Sequence, residues 1–141
     1  GAARLICDLF SYYAARGVSL PDRLRQLYRD HGYCLNTLHS YAFDGSAGFA
    51  RMQAVMKALR AGVASFGGRK VLRVLDYAGG LDGLPKSDVL KFILEDGCTL
   101  VARPSGTEPK LKLYLSVSAE SREAAEKAEA ELLKNAEAML R

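Results

Sequence analysis

The sequence has no tryptophan and little histidine, cysteine or proline: two, three and four residues among 141. His31 and His39 are the only histidines, and Cys7, Cys34 and Cys98 lie far apart, so no metal-ligand spacing exists. An odd, scattered set of cysteines also excludes a disulfide-stapled scaffold. All three sit in apolar surroundings and are expected to be buried free thiols in a reducing, cytoplasmic setting. No apolar run approaches the roughly 18 residues of a membrane span, so no membrane association is expected. The N-terminus shows no basic region followed by an apolar stretch and a cleavage site. It opens inside a helical pattern, which suggests a piece of a longer protein. No internal repeat is visible. Residues 78–83 are glycine-rich but lack the spacing of a nucleotide fingerprint, and read as a variable connection.

What is present is an ordinary globular composition. With 49% apolar and 26% charged residues, the chain can build one domain with a real core. The formal net charge of +4 is spread along the chain. It is weak support for nucleic-acid binding and suits a small phosphorylated ligand.

Two helices come first. Leu5, Ile6, Leu9, Tyr12 and Tyr13 keep a helical period over residues 2–15, with Gly17 marking the end. Ser19, Pro21 and Asp22 open a second helix that ends near Gly32, giving a helical hairpin. Its apolar faces need a partner: the rest of the domain, another chain, or neither, in which case the hairpin stays poorly ordered. Residues 33–43 hold the first strand, and Asp44 can cap a helix striped by Phe49, Met52, Val55, Met56 and Leu59. Gly62 closes that helix, Gly67 and Gly68 make a turn, and residues 71–77 read as a strand. Residues 89–95 and 98–103 form a hairpin around Asp96 and Gly97. Leu111, Leu113, Leu115 and Val117 alternate with polar residues in the last strand, leaving Lys112 and Tyr114 on its other face. A helix over residues 120–140 packs through Ala124, Ala128, Leu132, Leu133, Ala136 and Leu140. This order makes the fold class α+β, a mainly antiparallel sheet with helices on one face.

Between the last two strands runs Arg103, Pro104, Ser105, Gly106, Thr107, Glu108, Pro109 and Lys110. Arg103 offers a planar fork of donors suited to phosphate or carboxylate. Ser105 and Thr107 add hydroxyls, Gly106 a backbone able to turn its N–H groups toward one point, and Lys110 a point charge. Pro104 and Pro109 restrict the loop, which lowers the ordering cost of binding. The same residues read equally as a solvated turn with ordinary surface charges. A serine nucleophile is not expected, because Ser105 has no histidine nearby in sequence.

The run 103–110, continued through Lys112 and Tyr114, resembles the phosphate-binding loop in the C-terminal domain of the α-D-phosphohexomutases, the phosphoglucomutase and phosphomannomutase family. Residues 83–92 resemble the segment preceding it in the bacterial phosphoglucomutase/phosphopentomutase branch. The resemblance implies a TATA-box-binding-protein-like fourth domain over residues 32–141, with residues 1–31 as the helical tail of the third domain. It implies a fragment of an intramolecular phosphotransferase that interconverts hexose 1-phosphate and hexose 6-phosphate and is inactive alone. Arg103, Ser105, Gly106, Thr107 and Lys110 would bind the non-reacting phosphate of the sugar, and Pro104, Glu108 and Pro109 would support the loop. No catalytic residue and no metal ligand is expected here. Mg2+ and a phosphoserine are expected in the upstream domains of the same chain. The alternatives are the same role in a phosphopentomutase, or a non-enzymatic module binding nucleic acid or protein through the sheet.

Overall fold

A computed structural model describes all of residues 1–141. The elements run α1 (Ala2–Ala14), α2 (Leu20–His31), β1 (Tyr33–Ala42), α3 (Gly45–Ala61), β2 (Ser65–Phe66), β3 (Arg69–Asp76), β4 (Leu90–Leu94), β5 (Thr99–Pro104), β6 (Lys110–Ala119) and α4 (Arg122–Leu140). The strands form one antiparallel six-stranded sheet in the order β1-β6-β5-β4-β3-β2. The fold is α+β with two helices on one sheet face, as the residue pattern implies.

Period-two alternation builds the inner face of the sheet. Leu111, Leu113, Leu115 and Val117 of β6 meet Leu100 and Ala102 of β5 and Leu90, Phe92 and Leu94 of β4, all buried. Over them lie Met52, Val55, Met56 and Leu59 of α3 and Ala125, Ala128, Leu132 and Ala136 of α4. Phe66 and Phe92 meet edge to face with ring centroids 5.1 Å apart. Every buried residue is apolar, so the core is held by removal of apolar surface from water, about 1.5–3 kcal/mol for each large side chain.

No helix covers the opposite face. The register aligns Leu38, Tyr114, Val101, Lys91 and Leu75 in one row across five strands. Leu38 remains 51% exposed.

Some expectations are corrected by the packing. The hairpin helices α1 and α2 bury no residue, so they do not cover the domain; Arg23 Nε donates to Tyr13 Oη at 3.2 Å between them. Only Cys98 is buried; Cys7 lies on exposed α1, and Cys34 takes an outward position of β1. Burial, then a hydrogen bond to Asp96, pushes the Cys98 thiol up from its ordinary range. In α4, Ser121 caps the helix through the Ala124 N–H, and Ala125 rather than Ala124 faces the sheet. Steps of four residues overshoot the 3.6-residue turn, so a stripe drawn that way drifts off the buried face. Phe49 is exposed and lines the cleft beside residues 103–106 instead of joining the core. A bulge between Val71 and Arg73 leaves Leu72 exposed, and the two-residue strand β2 was too short to show a period.

Candidate functional site

The loop between β5 and β6 is closed by its own backbone. Ser105 N–H donates to the Lys110 carbonyl at 2.8 Å, and Lys110 N–H donates to the Glu108 carbonyl at 2.7 Å. Glu108 N–H reaches Ser105 Oγ at 3.4 Å. Phe43 N–H donates to the Pro109 carbonyl at 2.7 Å, which ties the loop to the end of β1. After these bonds the Gly106 and Thr107 N–H groups have no protein acceptor. Solvated N–H groups side by side at a loop tip are ready donors for an anion.

Gly106 has no positive φ, and a Cβ built on it meets nothing within 4 Å. The freedom of glycine at positive φ is therefore not used at this position, and the residue leaves open space beside its N–H.

The cations divide into two kinds. Lys110 Nζ pairs with Glu108 Oε2 at 2.9 Å. That bond first, and the charges of Lys110 and Lys112 after it, hold the Glu108 carboxyl below the usual carboxylate range. Arg103 and Lys112 have no carboxylate partner, yet they sit directly opposite each other across β5 and β6. Like charges opposite one another in a sheet destabilise it. An anion beside them would relieve that repulsion.

A cleft of about 390 Å³ opens beside the loop. Its walls include Phe49 and Gln53 of α3, residues 87–89, and Arg103, Ser105 and Gly106. The fold thus brings Arg103, Pro104, Ser105 and Gly106 to one cleft, while Thr107 and Lys110 stand outside its lining. Sequence reasoning did not assign Gln53, Ser87 or Asp88 to this site. Asp88 and Ser87 had a signal, as polar residues just before a strand; Gln53 had none, since α3 meets the loop only in three dimensions. No group of three or more His, Cys, Asp or Glu side chains comes together that could hold a metal ion. No helix is long and apolar enough to cross a membrane.

Fold and loop define an α+β domain with a polar loop, carrying unpaired N–H donors, at a strand end. Residues 44–135 match the family model described as phosphoglucomutase/phosphomannomutase, C-terminal domain. The chain is 33% identical over 117 residues to a phosphoglucomutase of Staphylococcus saprophyticus, covering 74% of this chain and 21% of that protein. It is 34% identical over 125 residues to a phosphoglucomutase of Staphylococcus aureus, covering 80% of this chain and 22% of that protein. The open form of parafusin from Paramecium, a phosphoglucomutase, superposes with a TM-score of 0.62 at 20% identity, over 87% of this chain and 23% of that one. That likeness shows the shared fold. The chain belongs to the phosphoglucomutase/phosphomannomutase family, and it spans a little over a fifth of the length of these relatives.

Proposed function

We propose that this chain is the phosphate-anchoring C-terminal domain of a phosphosugar mutase. The observation that carries the reading is the set of unpartnered donors at the loop: the Gly106 and Thr107 N–H groups and the Arg103 guanidinium. Arg103 is the fork that grips two phosphate oxygens, Ser105 and Thr107 add hydroxyls, and Gly106 gives its N–H. Lys110 fixes the loop through its ion pair with Glu108 and leaves its remaining ammonium donors for a phosphate oxygen. The site holds the phosphate that is not reacting, so that a hexose 1-phosphate or 6-phosphate stays bound while its other end is presented for transfer. Phosphoryl transfer depends on positioning and charge stabilisation, and an anchor on a moving domain supplies positioning and helps close the cleft.

The transfer chemistry is assigned to upstream domains of the same polypeptide, which would bring the phosphoserine and Mg2+. Residues 1–31 belong with those domains in this reading, and residues 32–141 form the anchoring domain. The apolar faces of α1 and α2, unburied here, fit that division.

Heteronuclear NMR titration with glucose 6-phosphate and glucose 1,6-bisphosphate tests the anchor, with glucose as control. Saturable shifts centred on residues 103–107, absent with glucose and lost in Arg103→Ala, are expected. No shift at millimolar ligand overturns an autonomous anchor. A pentose phosphate run in parallel distinguishes a hexose from a pentose preference.

A further inference from the structure

Asp88 stands in the wall of the same cleft as Arg103, Ser105 and Gly106. A free carboxylate there would repel a phosphate dianion. This one is engaged. Arg60 Nη2 donates to Asp88 Oδ1 at 2.7 Å, and Arg60 Nε donates to Asp76 Oδ2 at 2.7 Å. Asp76 Oδ1 accepts the Ala78 N–H at 3.0 Å. Arg60 belongs to the last turn of α3, Asp76 ends β3, and Asp88 lies just before β4. One guanidinium therefore ties three parts of the chain that are distant in sequence.

The connection from β3 to β4 is also pinned at its base by backbone bonds. Tyr77 N–H donates to the Val89 carbonyl and Ser87 N–H to the Tyr77 carbonyl, both at 3.0 Å. Residues 78–86 hang from that base, and Arg60 sits on the neighbouring cleft lined by Ala78, Lys86, Ser87 and Asp88. Ser87 and Asp88 are thus the partition between the two clefts.

We propose that Arg60 is a positioning residue for the phosphate cleft: it holds the Ser87 and Asp88 wall in place and offsets the charge of Asp88 where the anion enters. The proposal rests on the reading of residues 103–107 as a phosphate site. Arg60 does not line that cleft, so it acts through Asp88. Its role needs an arginine, because one planar fork donates to two carboxylates from separate nitrogens, which a lysine ammonium does not reproduce. Without Arg60, both carboxylates lose their cation.

The test titrates inorganic phosphate into the 141-residue chain and its Arg60→Ala, Arg60→Lys, Asp88→Asn and Arg60→Ala/Asp88→Asn variants, by heteronuclear NMR at low ionic strength. Amide hydrogen exchange is read on the same samples. Arg60→Ala is expected to weaken phosphate binding about threefold to tenfold, as for one uncompensated charge several ångströms away. Exchange at Tyr77 and Ser87 is expected to quicken. Adding Asp88→Asn should return most of the affinity while exchange stays fast, and Arg60→Lys should remain defective. Unchanged affinity in Arg60→Ala overturns the proposal. So does a loss that Asp88→Asn does not relieve, since a merely structural arginine behaves that way. If phosphate moves no loop resonance in the parent chain, the phosphate reading fails. The wall-holding role then stands or falls on exchange alone, and unchanged protection of Tyr77 and Ser87 in Arg60→Ala refutes it.

Discussion

Replacing Gly106 by alanine should move stability and binding in opposite directions. A Cβ at this position meets no atom within 4 Å, and the residue has no positive φ. Alanine therefore fits the folded chain without strain and narrows the unfolded ensemble. Such a change stabilises by about 0.4–1 kcal/mol. For a chain of this size that raises Tm by roughly 1–5 °C. Binding should suffer, because the methyl group enters the open space beside an N–H that has no protein acceptor. Loss of one hydrogen bond to a charged group removes about 1.5–3 kcal/mol, which weakens phosphate binding roughly tenfold to hundredfold. Thermal melts followed by circular dichroism give the first quantity, and phosphate titration by NMR gives the second. A fall in Tm would show that the glycine serves the fold, against the geometry. Unchanged affinity would show that no ligand approaches over Gly106.

Three further outcomes follow from the packing and the charges. Leu113→Ala removes a fully buried side chain at the middle of β6 and should destabilise by about 2–5 kcal/mol in urea unfolding; a loss below 1 kcal/mol would contradict a tightly packed core. Ser19→Ala deletes the cap that Ser19 Oγ provides to the Asp22 N–H at 3.2 Å, worth about 1 kcal/mol. Because α2 buries nothing, exchange should quicken within that helix while the global melt stays put; a shifted global melt would mean the helix is coupled to the core. The hydrogen bond from Arg60, then the Ala78 N–H, holds the Asp76 carboxyl below the usual carboxylate range. A depressed folded value means the stabilisation is present above the unfolded value near ~4 and is lost as pH falls through the folded one. The pair is more than a third exposed, so the effect stays under about 1 kcal/mol. Asp76→Asn should flatten the acid limb of stability below about pH 4, and an unaltered limb would refute the coupling.

The strands and helices that carry the core announced themselves, because strong periodicity and burial coincide there. Leu111, Leu113, Leu115 and Val117 are all buried, and Lys112 and Tyr114 take the other face. Met52, Val55, Met56 and Leu59 did the same for α3. Phe49 did not, since a stripe records one face of a helix and says nothing of which part of that face opens onto a cleft. Ala124 and Ala125 could not be ranked by hydrophobicity, as both are alanine; the Ser121 cap sets the phase. At the site, chemistry contained in consecutive residues was legible, and chemistry assembled across elements was not. The loop could be named from 103 to 110, but which of its N–H groups stay free, Gly106 and Thr107 among them, depends on backbone pairing. Arg60, Asp76 and Asp88 gave no local sign of meeting, because each is an ordinary charge in its own segment.

The pairing of β1 with β6 has a consequence for how the molecule is made. Residues 33–42 find their only strand partner in residues 110–119, so the first strand of the sheet is joined by the last. During synthesis β1 leaves the ribosome long before that partner exists. Its hydrogen-bonding groups stay unpaired until almost the whole domain has emerged, and closing so long a loop is slow. The hairpins β3–β4 and β4–β5 have no such wait, because their partners are near neighbours in sequence. Folding of this chain should therefore finish at its beginning, and the interval before β6 arrives is when exposed β1 is most open to pairing with the wrong strand.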